Sequence, residues 1–316
     1  MASNEDNHDP SRRKVLDCMK WAGTGVLWTI AGGIPTSMGI IDGALADEPK
    51  DLTFVQISDS HIGFNKPVNS NVIITLAEAI GRIRALRGKP SFIIHTGDIS
   101  HASKPTEFDD ADQVISQAGL DVHYVPGEHD LLDAEVKFYR ERYGRDTKGA
   151  GWHSFDVKGV HFVGLVNVTD STGRGSMGTS LGHLGHEQLQ WLEADLKGRS
   201  ASTPIVVFAH IPLWVVYKDW GWGTEDGSRA LELLRRFGSV TVLNGHIHQV
   251  MQKVEGNVTF HTALSTAFPQ PIPGTTTSPG PMKIPDEKLR TLLGIADVTF
   301  KRGTRRLAVI DQPLQT

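Results

Sequence analysis

The stretch Leu52-Thr53-Phe54-Val55-Gln56-Ile57-Ser58-Asp59-Ser60-His61 passes without a break from an apolar run into Asp-Ser-His. The run reads as a buried first strand, and its polar end is the first of several of the same form. Ser91 to Ile94 leads into His95-Thr96-Gly97-Asp98, and Val122 to Val125 into Pro126-Gly127-Glu128-His129-Asp130. Ile205 to Phe208 leads into Ala209-His210, and Val240 to Leu243 into Asn244-Gly245-His246-Ile247-His248. Helical patterns separate these strands. They cover 71–86, with Ile74, Ala77, Ile80 and Ile83 on one face, then 108–118, 136–143, 186–197 and 230–237, the last stopped by Gly238. Strands alternating with helices predict an α/β fold.

The middle and the C-terminal part add hairpins. Trp152 to Val157 and Val160 to Val166 flank the turn Lys158-Gly159, and Gln249 to Val254 and Val258 to His261 flank Glu255-Gly256-Asn257. Residues 266–285, rich in Pro, Thr and Gly, read as a loop, and 296–312 holds a last hairpin built from Val298 to Lys301 and Leu307 to Ile310. There is no internal repeat, and 47–316 reads as a single domain.

Composition bounds the function. The 316 residues carry a formal net charge of −4, with 39% hydrophobic and 22% charged residues and a single cysteine. Such a chain has ample material for a core and is not disordered. A slightly acidic balance, with no basic patch standing out, argues against a nucleic-acid binder that works through a positive surface. One cysteine excludes an intramolecular disulfide framework and a Cys-rich zinc fold. Thirteen of the 14 histidines follow residue 60, a rich supply of ligands.

The first 46 residues read as an address. Ser11-Arg12-Arg13-Lys14-Val15-Leu16 precedes a weakly apolar run from Trp21 to Ile34, then the small-x-small site Ala44-Leu45-Ala46. This order resembles a bacterial twin-arginine signal. It implies passage through the twin-arginine machinery to the periplasm or the exterior. An uncleaved anchor and a cytosolic extension are the other readings; the run falls short of the ~20 apolar residues a spanning helix needs. Cys18 lies in the segment to be removed, so residues 47–316 contain no thiol.

In open α/β sheets the carboxyl ends of strands converge on the ligand site. Asp59, His61, Asp98, Glu128, His210, His246 and His248 all occupy such ends. Imidazole with carboxylate suits Mn, Fe, Zn, Co or Ni. Seven ligands are too many for one ion and suit two, with a carboxylate such as Asp98 bridging them. Singly each motif reads as a turn; the set of five, in order and each at a strand end, does not.

Asp59-Ser60-His61, Gly97-Asp98, Gly127-Glu128-His129-Asp130, His210 and Gly245-His246-Ile247-His248 resemble the five signature blocks of the calcineurin-like metallophosphoesterases. The resemblance implies a four-layer α/β/β/α sandwich. It implies one divalent or trivalent transition-metal ion on Asp59, His61, Asp98 and His248, and a second on Asp98, residue 128, His210 and His246. A metal-bound hydroxide would attack phosphorus in line, and His129 would assist the leaving oxygen. The activity implied is hydrolysis of a small phosphoester, a diester first and a monoester second. A non-catalytic metal- or phosphate-binding role on the same scaffold is the other outcome.

Two positions depart from the family pattern. Glu128 stands where the family has Asn, adding a negative charge and a methylene: either a genuine ligand or the mark of a degenerate site. His101 stands three residues after Asp98, where many relatives have Asp and purple acid phosphatases have the colour-giving Tyr; it is a further site residue or a loop histidine. After His210 come Trp214, Tyr217, Trp220 and Trp222, which read either as a stacking platform for a substrate's organic group or as a loop packed over the core. His95, His123, His153, His161, His183, His186 and His261 read as structural or surface residues.

Overall fold

The computed structural model describes residues 26–31, 34–39, 51–133, 137–169, 180–301, 304 and 307–315. The chain divides into two units, Met1–Pro49 and Lys50–Thr316. The described residues of the first are an antiparallel pair, β1 (Val26–Ala31) and β2 (Ile34–Gly39), which the sequence pattern did not predict. The paired arginines, Cys18 and the Ala44-Leu45-Ala46 site lie outside the described residues.

Two sheets form the centre of the second unit. In one, β3 (Leu52–Ile57), β4 (Ile93–His95) and β5 (Val122–Tyr124) run parallel. Antiparallel strands β12 (Gly294–Phe300) and β13 (Ala308–Pro313) extend it beyond β3, giving the order β13-β12-β3-β4-β5. In the other, β7 (Val160–Gly164), β8 (Ile205–Phe208), β9 (Val240–Asn244) and β11 (Val258–Thr262) run parallel. Antiparallel β6 (His153–Val157) and β10 (Gln252–Glu255) close its edges, in the order β10-β11-β9-β8-β7-β6.

Alternation along the strands builds the layers, because successive side chains point to opposite faces. Phe54, Ile94 and Val298 of the first sheet meet Phe162, Val206, Phe208 and Leu243 of the second in one buried cluster between the sheets. Their neighbours in sequence, Val55, Ile57 and Ile93, face the helices α1 (Val72–Arg84), α2 (Pro105–Ile115) and α3 (Lys137–Tyr143). Val163, Val207 and Val242 face α4 (His186–Leu196) and α5 (Gly227–Leu234) on the other side. The result is the four-layer α/β/β/α sandwich, in which each buried Phe, Leu or Val contributes about 1.5–3 kcal/mol.

Helix details depart from the sequence pattern for identifiable reasons. The buried face of α1 is Val72, Thr75, Leu76, Ala79, Ile80 and Ile83, while Ile74 is 49% exposed. A stripe taken every third residue drifts by about 60° per step on a 3.6-residue helix, so Ile74 and Ala77 leave the face that Ile80 and Ile83 occupy. Helix α2 starts three residues earlier than expected, at Pro105, whose fixed φ suits a first helical turn. Glu107 reinforces that start by accepting the Ala102 backbone N–H at 2.7 Å. Helix α5 ends at Leu234, ahead of Gly238, where Asn257 Nδ2 donates to the Leu234 and Phe237 carbonyls. Residues 266–285 contain no helix or strand.

Candidate metal centre

The carboxyl ends of β3, β4, β8 and β9, with the turn after β5, bring the seven expected ligands together. Local backbone strain marks the place. Eight described non-glycine residues have positive φ, and five of them are Asp59, His61, Asp98, His246 and His248. Such conformations cost roughly 1–3 kcal/mol each and persist where the surroundings enforce them. Two motif glycines show what enforces them. A Cβ on Gly245 would lie 2.0 Å from Ser58 Oγ and 2.6 Å from Asp59 Oδ2, and one on Gly97 would lie 2.6 Å from the Gly127 nitrogen. Only glycine lets these loops close on one another.

Among the sets of ligand atoms that lie within 4.8 Å of one another are Asp59, His61 and His248, and Glu128, His210 and His246, with Asp98 grouped with Asp59 and His210 and again with Glu128 and His129. In the first, His61 Nε2 lies 3.3 Å from His248 Nε2, and Asp59 Oδ1 is 3.3 Å from His248 Nε2. In the second, Glu128 Oε2 lies 3.1 Å from His210 Nε2 and Oε1 lies 3.1 Å from His246 Nδ1. Asp98 belongs to both halves, its Oδ2 being 3.4 Å from His61 Nε2 and 3.5 Å from His210 Nε2.

These residues fit a pair of cations. His248 Nδ1 donates to the Phe268 carbonyl at 2.5 Å and His210 Nδ1 to the Thr96 carbonyl at 2.7 Å, so each ring turns its Nε2 inward. Glu128 Oε2 is buried and faces the inward-turned Nε2 of His210 at 3.1 Å, two ligand atoms that an ion between them would satisfy. Charge points the same way. Burial pushes His210 down, but Asp98 and Glu128 outweigh it and hold this imidazole well above its usual range. Burial pushes Glu128 up, yet His246 and His210 hold it well below the carboxylate range. For Asp59, too, burial is outweighed, and His248 and His210 bring it to about 2. A cavity that stabilises carboxylates and positive charge side by side suits a cation held by imidazole and carboxylate.

The supporting groups are as specific. Buried Asp130 accepts backbone N–H bonds from Gly127, Ile99 and Ser100 at 2.9, 3.1 and 2.8 Å, tying the Asp98 loop to the Glu128 loop. His95, fully buried, accepts from the Gly97 N–H through Nδ1, leaving Nε2 to donate to Ser60 Oγ at 2.9 Å. His129 Nδ1 donates to the His101 carbonyl at 2.7 Å, which leaves Nε2 free for another partner. The His101 ring stacks on His129 at 4.8 Å, and its Nδ1 lies 3.3 Å from His61 Nδ1. His101 therefore stands beside the site, touching both a ligand and the candidate acid.

The 266–285 segment, in which the sequence showed no clear chemistry, contributes directly. The Phe268 ring lies 4.9 Å from His61 and 4.7 Å from His248, and its carbonyl sets the tautomer of His248. Just ahead of it, Ser265 Oγ donates to the Asp59 carbonyl, and Gln270 Nε2 donates to that of His246 at 2.9 Å. These residues were missed because a Pro- and Gly-rich loop has no periodicity, and contacts across 20, 24 and 206 residues leave no local signal.

The aromatic platform needs correction. Trp220 and Trp222 are 4% and 1% exposed and pack with Ile247, the residue between His246 and His248. Backbone bonds from Val216 and Tyr217 to the Trp222 carbonyl fold the segment back on itself, sending both indoles inward. They support the ligand loop from beneath and offer no face for stacking. Trp214 is half-buried on Phe260 at 4.8 Å, and half-buried Tyr217 meets the Trp220 edge. Of the other histidines, His161 sits between Asp156 and Asp195, His261 pairs with Asp311, and His183 pairs with Asp226.

Residues 52–250 match the sequence pattern of the calcineurin-like phosphoesterases. The chain belongs to that family, hydrolases of phosphoester bonds with a dinuclear metal centre. It is 27% identical over 202 residues to the glycerophosphodiester phosphodiesterase GpdQ of Enterobacter lignolyticus, covering 62% of this chain and 69% of that one. It is 24% identical over 232 residues to a 3',5'-cyclic-nucleotide phosphodiesterase of Nostoc, covering 70% and 81%. Among solved structures, a dimetal phosphatase from Danio rerio superposes with a TM-score of 0.60 at 14% identity, over 83% of this phosphoesterase and 96% of that chain.

Proposed function

We propose that this phosphoesterase is an exported phosphodiesterase acting on a small diester, with two transition-metal ions held by Asp59, His61, Asp98 and His248 and by Asp98, Glu128, His210 and His246. The observation that carries the reading is the pair of ligand groups joined through Asp98. Two cations bound there supply Lewis acidity to the phosphoryl oxygens and to the attacking water. The chain's residues do the rest. The Asp59 and Asp98 loops, locked in left-handed backbone, hold the ligands without reorganisation. His129 is fixed through Nδ1 by the His101 carbonyl, and although burial pushes it down, Asp98 and Glu128 raise it above the usual histidine range; as an imidazolium it presents Nε2–H to the leaving oxygen and gives it that proton or hydrogen bond. The names of two relatives, a glycerophosphodiester and a cyclic-nucleotide phosphodiesterase, support the diester class.

The test is hydrolysis of bis-p-nitrophenyl phosphate beside p-nitrophenyl phosphate, with Mn and with chelator. Metal-dependent turnover favouring the diester is expected; turnover of the monoester alone would make the protein a phosphomonoesterase. Export is supported by the Arg12-Arg13 pair, by the Ala44-Leu45-Ala46 site and by the lack of cysteine in 47–316. No helix among the described residues is long and apolar enough to cross a membrane. Arg12→Lys with Arg13→Lys should leave the protein inside the cell when fractions are blotted; unchanged fractionation would reject the twin-arginine route.

A further inference from the structure

We infer that Glu128 is a specificity-determining residue that selects singly charged phosphodiesters over doubly charged monoesters by its negative charge. The inference rests on the dinuclear phosphoesterase reading and names its substrate class. Where the family pattern has a neutral Asn, Glu128 places a third carboxylate in the cluster beside Asp59 and Asp98. Its two oxygens face different histidines at 3.1 Å each, so the carboxylate spans the His210–His246 half. No lysine or arginine offsets it: among the described residues, every ion pair made by Asp59, Asp98 and Glu128 is with a histidine.

The consequence is electrostatic matching. Two divalent ions against three carboxylates leave one net positive charge, which a diester monoanion balances. Against two carboxylates they leave two, which suits a monoester carrying close to two negative charges at neutral pH. One unit charge a few ångströms from the phosphoryl group in a partly buried site shifts the preference by about 10- to 100-fold. The position fits such a role, because Glu128 lies in the more open half of the cluster, its side chain 12% exposed against 0% for Asp59.

The experiment uses the full-length protein and its Glu128→Asn and Glu128→Gln variants, all loaded with Mn and analysed for bound metal. Inorganic phosphate and dimethyl phosphate are titrated calorimetrically, and kcat/KM is measured for both p-nitrophenyl esters. With two ions retained, either neutral variant should tighten inorganic phosphate about tenfold more than dimethyl phosphate, and its diester-to-monoester ratio should fall by about tenfold or more. Unmoved phosphate affinity and ratio with both ions in place would overturn the inference. So would loss of an ion in both variants, which would assign Glu128 to metal retention alone. A wild type that hydrolyses neither ester would sink the phosphodiesterase reading, while the comparison of phosphate with dimethyl phosphate would still decide the role of the charge.

Discussion

The two halves of the ligand cluster are built differently. Asp59, His61 and His248 are almost completely buried, at 0%, 2% and 2% exposure, and Phe268 covers both histidines with its ring. Glu128 and His246 in the other half are partly open, with side chains 12% and 11% exposed, and only His210 is buried there. One half is enclosed by protein, which favours retention of an ion; the other is the more accessible to solvent. The single departure from the family's ligand pattern, Glu128, falls in the open half, where a charge acts on substrate choice at least cost to the buried half.

Breaking the joint between the halves should have the largest effect. Asp98→Ala removes the carboxylate that both share, so bound metal measured by mass spectrometry should fall in both and kcat/KM should drop on the order of a thousandfold or more. Retention of two ions would mean that Asp98 is not the bridge. Trp222→Ala comes next. It empties a fully buried indole under Ile247, at a cost of about 3–5 kcal/mol in unfolding free energy by denaturant titration. A loss below about 1 kcal/mol would contradict its buried, supporting position.

Phe268→Ala separates the halves most cleanly. It strips the ring from His61 and His248 and leaves Glu128, His210 and His246 untouched, so one of two calorimetric metal-binding steps should weaken by about 10- to 100-fold. Equal weakening of both steps would show that the covering ring does not distinguish them. The smallest effect belongs to Arg290→Ala, which touches neither half. The half-exposed Arg290–Glu78 pair, bonded at 2.7 Å through Nε and NH2, should be worth at most about 1 kcal/mol and leave metal content unchanged.

Much of this was legible in the chain. The apolar runs at 52–57, 205–208 and 240–243 became central strands because such runs bury both faces, and the polar residues at their ends met because the parallel strands within each sheet share a carboxyl end and the two sheets pack face to face. Helix starts and faces were less legible. The α1 stripe depended on distinguishing a step of three from an alternation of three and four, and the α2 start on an interaction of Glu107 with backbone outside the helix.

The sequence alone determined the order of the main strands and helices after residue 50, the identity of the seven ligand candidates and the two positions that break the family pattern, since these rest on local composition and spacing. Only the tertiary structure decided that Trp220 and Trp222 turn inward, that Phe268 and Gln270 brace ligands from a loop without pattern, and that the cluster has a closed and an open half. Burial and tautomer choice arise from contacts between segments as far apart as Asp59 and Ser265, and side-chain direction in a loop follows from the turn that folds it. Neither leaves a period or a spacing to read in a linear chain.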